Sequence, residues 1–212
     1  MNGLCHLLHQ LAAQLPLHSF PFAERAIPEN GIYILFEEGE HSHDRLRIVR
    51  VGTHTGDRQL RPRLRQHFIQ ENKDRSIFRK NIGRALLHQA NDPFLADWDL
   101  DLTTAASRVL HASRIDREKQ RLVEVAITKH IRARFRFVVI PVASKAQRLR
   151  WESRMVSTIA ACPVCTPSLG WLGHCSPIPK IRTNGLWQVN ELFNEPFSES
   201  EFAIFEQSIL RR

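Results

Sequence analysis

The stretch that decides the fold is residues 30–67, which read NGIYILFEEGEHSHDRLRIVRVGTHTGDRQLRPRLRQH. The run between positions 31 and 36 is rich in β-branched and aromatic side chains, and this composition predicts a β-strand. Side chains along a strand alternate between the two faces of a sheet. The alternation predicts one face with Gly31, Tyr33 and Leu35 and an opposite face with Ile32, Ile34 and Phe36.

A second strand is predicted over residues 46–51, where apolar and basic side chains alternate. Its pattern places Leu46, Ile48 and Arg50 on one face. The link between the two runs is polar, so the strands are predicted to form a hairpin with a long loop, and Gly52 ends the second strand.

A basic helix is predicted after the hairpin. Asp57 is the predicted N-cap, and Pro62 then falls in the first turns, where proline is best tolerated. Arg63 and His67 are four residues apart, so they share one face of this helix.

Three short motifs follow one another in this stretch: Gly31-Ile32-Tyr33, Arg50-Val51-Gly52 and Arg63-Leu64-Arg65-Gln66-His67. A strand, a glycine-ended strand and an Arg-x3-His helix in this order resemble the GIY-YIG nucleases. The first motif is literal, whereas the second is degenerate, because Arg50 stands where the family has a tyrosine. The resemblance implies an α+β fold: a three-stranded antiparallel sheet flanked by helices, in the order β-β-α-α-β-α.

Two terminal helices are predicted to extend this core. Leucines at helical spacing predict an amphipathic helix over residues 1–15, which would pack on the core or on a second subunit. Its His6 and His9 are predicted to be in solvent, and residues 16–28 are predicted to be irregular. A second amphipathic helix is predicted over residues 199–210.

The remaining elements are predicted from apolar periodicity and from serine N-caps. They are a helix over 76–89 capped by Ser76, a helical insertion over 91–134 that contains a helix over 117–130, a strand over 134–142, and a helix over 145–161 capped by Ser144. The chain is therefore predicted to be one domain, with its core at about 30–90 and 135–190 and an insertion before the third strand.

Glu152 falls within an apolar stripe of the helix over 145–161. The stripe has Leu149, Val156, Ile159 and Ala160 at three- and four-residue spacing. A carboxylate in such a place costs free energy unless it is paired, protonated or bound to a metal ion. An ion pair with an arginine such as Arg148 is one interpretation, and a position at the edge of the core is another. The resemblance favours metal binding, because the family carries a metal-binding glutamate on the helix after the third strand.

The resemblance implies a metal-dependent DNA endonuclease that uses Mg²⁺ or Mn²⁺. Tyr33 would be the general base, and a tyrosine keeps its proton at neutral pH unless a neighbouring cation stabilises the phenolate; Arg50 could be that cation. Arg63 would hold the phosphate, His67 would position Tyr33 or water, and Glu152 would bind the metal ion. The family often has a late asparagine near its metal, and Asn184 and Asn190 both qualify.

The charge of the chain points to a polyanionic partner. The net charge is +8 and the isoelectric point is about 9.9, which is typical of proteins that bind nucleic acid. Nine Lys or Arg residues against two acids are concentrated over residues 58–84. The predicted nucleic-acid contacts are His54, Arg61, Arg65, Arg75, Arg79 and Lys80. A solvated helix pair is the alternative interpretation of these charges.

Four cysteines suit a reducing compartment, and the sequence lacks both a signal-peptide pattern and a run of ~20 apolar residues, so a cytoplasmic protein without a membrane span is predicted. Cys162 and Cys165 have the C-x2-C spacing of a zinc site. The adjacent pair His174 and Cys175 is a poor second half, because neighbouring side chains rarely chelate one ion, and reduced cysteines are favoured.

Three functions are therefore weighed: a GIY-YIG endonuclease, a catalytically silent nucleic-acid-binding module with the same fold, and a zinc-stabilised interaction domain. The endonuclease is favoured because the motifs occur jointly and in order. A homodimer is left open by the sequence.

Overall fold

The computed structural model describes residues 2–210 of the chain. Its sheet has the strands β1 (His18–Ser19), β2 (Gly31–Ser42), β3 (Arg45–Gly52) and β4 (Phe135–Pro141), in the order β1-β4-β2-β3 with all neighbours antiparallel. The predicted α+β fold is confirmed, but the sheet has four strands instead of three. The additional strand β1 lies in the segment that was predicted to be irregular. Two residues are too few to show a period-2 pattern.

Helices flank this sheet on both sides. Their bounds are α1 (Asn2–Ala13), α2 (Leu60–Phe68), α3 (Ile77–Gln89), α4 (Leu95–Trp98), α5 (Ala105–Leu110), α6 (Arg117–Arg134), α7 (Lys145–Ala160), α8 (Pro179–Asn184) and α9 (Glu199–Leu210). Helix α6 is longer than predicted and continues directly into β4. Within residues 2–210, no helix combines the length and the apolar character that crossing a membrane would require.

Two hydrophobic clusters cover the two faces of the sheet. One contains Tyr33 and Leu35 together with apolar residues of α2, α3 and α6. The other contains Ile32 and Ile34 together with residues of α1, α7 and α9. The predicted alternation along β2 is therefore confirmed. Helix α1 packs on the second cluster through Leu8 and neighbouring residues. Of the two packing partners predicted for this helix, the core is the one observed.

A β-bulge in β3 changes the predicted face of Arg50. Leu35 pairs with Arg50 whereas Phe36 pairs with Ile48, so Val49 is an additional residue on β3. A bulge of this kind redirects the side chains beside it. Ile48 packs in the cluster away from Tyr33, while Arg50 points toward the Tyr33 hydroxyl. The prediction that Ile48 and Arg50 share a face was therefore wrong.

The predicted helix caps have mixed outcomes. Ser76 and Ser144 accept hydrogen bonds from the third backbone amide of α3 and α7, respectively, as predicted. Asp57 does not cap α2. The N-cap position belongs to Gln59, which makes no side-chain cap, and Asp57 instead accepts a 2.8 Å hydrogen bond from Asn30.

The buried face of α7 is rotated from the predicted stripe. Trp151, Met155 and Ile159 are buried, while Leu149 is exposed. Because the helix turns this face to the sheet, Glu152 lies at the edge of the packed surface and is only partly exposed.

Candidate active site

The hydroxyl of Tyr33 joins three elements of the fold. It lies 2.8 Å from Nε2 of His67 on α2 and accepts a longer hydrogen bond, 3.4 Å, from Nε of Arg50 on β3. All three side chains are buried. The structure thus brings together three of the five residues that the sequence singled out for chemistry.

Gly52 makes room for the Tyr33 ring. The two residues are paired across β2 and β3. A Cβ atom at position 52 would lie 2.2 Å from the Tyr33 hydroxyl oxygen and 2.4 Å from the ring carbon that carries it. The ring therefore crosses directly over this glycine, and any other residue would displace it.

His67 is held in its neutral form. Its pKa lies well below the ordinary value, chiefly because burial disfavours the charged imidazolium and further because Arg63, Arg50 and Arg79 are positive neighbours. Its second ring nitrogen, Nδ1, lies 2.8 Å from the Ser76 hydroxyl.

The hydrogens of this chain of groups can be counted. Tyr33, neutral His67 and Ser76 each bring one hydrogen, but only two links join them. One hydrogen is therefore left over while Tyr33 keeps its proton. If Tyr33 is a phenolate, His67 donates to it through Nε2 and Ser76 donates to Nδ1. Both remaining hydrogens of these three side chains then have an acceptor.

Arg50 is fixed by the segment that follows α8. Its Nη1 donates to the backbone carbonyl of Trp187, and its guanidinium lies 5.6 Å from the centre of the Phe78 ring. Two further bonds tie the same segment to the bulged strand: Trp187 N–H donates to the Val49 carbonyl at 2.8 Å, and Val51 N–H donates to the Gln188 side chain at 3.0 Å. These contacts could not be predicted from the sequence, because they join distant parts of the chain.

Glu152 lies within electrostatic reach of this cluster. Burial raises the pKa of its carboxyl to about 6, while Arg50, the Thr53 backbone amide and Arg63 favour the charged form and Glu191 opposes it. Among residues 2–210 no cation forms a salt bridge with it.

The interpretation that Glu152 pairs with Arg148 is wrong. Arg148 donates to the backbone carbonyls of Val142, Ala143 and Gly56 instead. A partly buried carboxylate without a salt bridge fits a divalent metal ligand, since Mg²⁺ and Mn²⁺ prefer carboxylate oxygens.

Arg63 has unused hydrogen-bonding capacity. Its Nη1 donates to the Gln66 side chain at 3.0 Å and to the Arg75 carbonyl at 3.1 Å, while its Nε is buried without a partner. The same side chain lines a cleft of about 330 Å³. The other residues around this cleft are Thr53, His54, Thr55, Gly56, Gln59 and Gln66. A guanidinium at the wall of a cleft suits a phosphate oxygen.

Two predicted nucleic-acid contacts are not on the surface. Arg79 is fully buried and forms an ion pair of 2.6 Å with Glu124 of α6. Lys80 is buried and donates to the backbone carbonyls of Asp99 and Leu100. The prediction that they contact nucleic acid was wrong for this reason. The partners that hold them lie in the insertion, far along the sequence.

The other four predicted contacts differ in accessibility. Arg65 and Arg75 are exposed, and Arg65 is ion-paired with Glu24. Arg61 is partly buried and donates to a backbone carbonyl. His54 lines the cleft, but its ring nitrogens are engaged by the backbone of Gly31 and Gly56. Burial lowers its pKa, so it is a neutral group here.

The two late asparagines predicted near the metal ion make no hydrogen bond to the other predicted site residues within residues 2–210. Asn184 bonds to Lys180 and Thr183 within α8, and Asn190 is exposed without a side-chain hydrogen bond among the residues described. Glu191 was not predicted as a site residue, but it is close enough to Glu152 for its charge to raise the pKa of that carboxyl. Ser76 was predicted only as a helix cap, and its bond to His67 was missed.

A family model described as a GIY-YIG domain matches residues 2–212, nearly the whole chain. No curated protein and no solved structure matches the chain.

Proposed function

The chain belongs to the GIY-YIG family, and from this premise we propose that it is a divalent-metal-dependent endonuclease that hydrolyses phosphodiester bonds of DNA. Membership implies a nuclease-type function in general. The finer proposal is supported by one observation above all: the Tyr33 hydroxyl is bonded to both His67 and Arg50, and Arg63, whose charge acts on His67, lines a cleft.

Tyr33 is the proposed general base. In the phenolate form it can accept hydrogen bonds from both Arg50 and His67. The phenolate takes a proton from water as the water oxygen attacks phosphorus. His67 stays neutral and orients Tyr33, because its pKa is lowered well below the ordinary value by burial.

Arg63 is the proposed phosphate ligand. Its side chain lines the cleft, where the guanidinium would donate to a non-bridging oxygen, and its Nε has no partner among the described residues. Charge-assisted bonds of this kind stabilise negative charge that develops in phosphoryl transfer. Arg65 and Arg75, which are exposed, are the proposed contacts to the DNA backbone outside the cleft.

Glu152 is the proposed ligand of Mg²⁺ or Mn²⁺. A bound divalent ion supplies positive charge that stabilises the phosphate and the leaving oxygen. Arg50 and Arg63 favour the charged form of Glu152, so the same cations that serve Tyr33 and the phosphate keep this carboxylate available.

A catalytically silent DNA-binding module is the second candidate. One observation favours it: the Tyr33 side chain is fully buried, and a base must reach water. The two candidates differ in a single outcome, since both bind DNA and only the endonuclease cuts it.

The test is nicking of supercoiled plasmid with Mg²⁺ or Mn²⁺ by the wild type, Tyr33→Phe and Glu152→Gln. Glu195→Gln is the matched control, because Glu195 is a largely exposed glutamate on the surface. We expect cleavage by the wild type and by the control. Tyr33→Phe should lower the rate by about 10²–10⁴-fold, the contribution of a general base.

If Tyr33→Phe and Glu152→Gln cut DNA as fast as the wild type, the assigned site is refuted. Binding of duplex and branched DNA by every protein, with no cleavage by any of them, would establish the silent module instead. Adding Mg²⁺ back after chelation separates loss of the catalytic ion from other effects of the chelator.

A further inference from the structure

A second cluster of reactive side chains lies on the sheet face opposite Tyr33. It is assembled from three separate parts of the chain: Cys5 on α1, His43 at the tip of the β2–β3 hairpin, and Cys162 with Cys165 in the turn after α7. All four cysteines of the chain are free thiols, and three of them are gathered here.

The turn at Cys162 and Cys165 has the form of a metal-binding knuckle. Cys165 N–H donates to the Cys162 carbonyl at 3.4 Å, which closes a tight turn with two residues between the sulfurs. Ser42 at the hairpin tip donates to the Val164 carbonyl at 3.3 Å, so the turn is tied to the hairpin that carries His43. C-x2-C turns supply two zinc ligands in structural sites.

One measured distance between these groups is that of two ligands on a tetrahedral ion. Nε2 of His43 lies 3.5 Å from Sγ of Cys162. Zinc bonds of about 2.3 Å to sulfur and about 2.0 Å to nitrogen, at tetrahedral angles, leave about 3.5 Å between two such ligand atoms. The ligand atoms of Cys5, His9 and His43 also lie within 4.8 Å of one another.

His9 lies in the cluster, but both of its ring nitrogens are already engaged in hydrogen bonds with the backbone. Its Nδ1 bonds to the Cys5 carbonyl at 2.9 Å, and its Nε2 accepts the Ile48 backbone N–H at 3.2 Å. The prediction that His9 is in solvent was wrong, because α1 turns it toward the sheet, where it is buried. By contrast, the only side-chain hydrogen bond of His43 among residues 2–210 is the contact with Cys162. Three sulfurs and one imidazole nitrogen therefore remain as ligands.

The ligand types of the cluster suit a zinc ion. Thiolate sulfur and neutral imidazole nitrogen are the donors of structural zinc sites, and the thiols lose their protons when the ion binds. Cys5 and Cys165 are buried, and a thiolate at either position would need the positive charge that a metal ion supplies.

We propose that Cys5, His43, Cys162 and Cys165 form a structural Zn²⁺ site that fastens α1 and the turn after α7 to the tip of the hairpin. The set is closed, with four protein ligands, as in structural zinc sites. It is separate from the bonded group of Tyr33, Arg50 and His67, which lies on the other face of the sheet.

The ligand set differs from the one that the sequence suggested. His174 bonds to the Ser168 carbonyl at 2.9 Å, and Cys175 packs against the hydrophobic cluster that contains Tyr33. Neither belongs to the site. The sequence showed the C-x2-C half, but the other half comes from α1 and the hairpin.

The test begins with the metal content of the full chain, purified without a chelator and with any affinity tag removed. We expect one zinc ion per chain by mass spectrometry of metals. Replacement with Co²⁺ should give the absorption of a tetrahedral site with thiolate-to-cobalt charge transfer. The proposal would be overturned if the chain contains far less than one zinc ion and does not take up added zinc. It would also be overturned if the cobalt-substituted chain lacks thiolate-to-cobalt charge transfer.

Variants locate the ion. Cys162→Ser should lose the zinc, and His43→Asn should weaken its retention against a competing chelator, since asparagine tolerates the positive φ of 52° at this turn. Cys175→Ser is the matched control and should keep one zinc. Equal zinc in Cys162→Ser and the wild type would overturn the ligand set. If Cys162→Ser does not fold, His43→Asn and the cobalt spectrum of the wild type decide.

A disulfide is the competing explanation for the gathered sulfurs. The denatured, metal-free chain should show four free thiols, because a zinc site keeps all cysteines reduced. Two free thiols in protein prepared without oxidant would overturn the proposal.

Discussion

Nε2 of His67 lies 2.8 Å from the Tyr33 hydroxyl, and this bond joins the central strand β2 to helix α2 through two fully buried side chains. Burial keeps His67 neutral, so the bond orients Tyr33 without adding charge. The other ring nitrogen lies 2.8 Å from the Ser76 hydroxyl, which can donate or accept and so can pair with either neutral tautomer of His67.

Ser76→Gly should slow cleavage while DNA binding is kept. The change removes the partner of His67 Nδ1, and glycine preserves most of the helix-capping free energy. We expect kcat to fall on the order of tenfold with KM for DNA unchanged, because the general base itself remains. Single-turnover rates and binding titrations measure the two effects separately.

Ser144→Gly is the control for the cap, because Ser144 caps α7 in the same way and is not bonded to His67. Ser76→Thr should restore the rate, since threonine also has a hydroxyl. A normal rate in Ser76→Gly would show that Ser76 acts only as a cap.

Gly52→Ala should displace the Tyr33 ring. The new methyl carbon would lie 2.2 Å from the Tyr33 hydroxyl oxygen, and overpacking of this kind costs about 1–3 kcal/mol. We expect a lower midpoint of urea unfolding together with loss of nicking under conditions where the variant is still folded. Gly170→Ala, which has nothing within 4 Å of the added carbon, should match the wild type in both assays. Full activity in Gly52→Ala would show that the ring position is not essential.

The sequence predicted the parts of the fold that depend on local pattern. The alternation along β2 assigned Tyr33 to its face, and the serine caps marked where α3 and α7 begin. The bulge at Val49 was not predictable, because it depends on the pairing of β3 with β2. The strand β1 was missed because two residues carry no pattern.

The candidate site was predicted only in part. Tyr33 and His67 lie in hydrogen-bonding contact, an arrangement that the family resemblance implied. The burial of Arg79 could not be foreseen, because its partner Glu124 lies on a different helix. A net charge pattern shows where basic residues are concentrated along the chain, but it does not show which of them are paired inside the fold.

Arg75→Ala and Arg79→Met should separate surface cations from buried ones. Arg75 is exposed, so its loss should weaken DNA binding, reduce the slope of log affinity against log salt by about 1 and leave stability unchanged. Arg79→Met leaves the buried Glu124 carboxylate unpaired, which costs about 3–5 kcal/mol. Urea unfolding and salt-dependent binding titrations measure both. A stable Arg79→Met with weakened DNA binding would contradict this assignment.

Glu152→Gln should stabilise the protein at neutral pH in the absence of divalent ions. Burial raises the pKa of Glu152 from 4.5 to about 6, so the folded state holds this proton more tightly than the unfolded chain does. Stability therefore falls as pH rises from about 4.5 to about 6, and the penalty persists above that range. The shift corresponds to at most about 2 kcal/mol before solvent screening. Urea unfolding between pH 4 and pH 8, in metal-depleted buffer without a chelator, measures the difference.

The gain should vanish below pH 4.5, where glutamate is protonated in both states and resembles glutamine. Glu195→Gln, at an exposed site, should show no comparable pH dependence. Added Mg²⁺ should then stabilise the wild type and not Glu152→Gln, because an ion that binds only the folded state adds its binding free energy to stability. A glutamine variant that is less stable than the wild type from pH 6 to pH 8 would mean that the carboxylate is already satisfied by the protein. In that case Glu152 would be a structural residue, and the metal ion of the proposed nuclease would need another ligand.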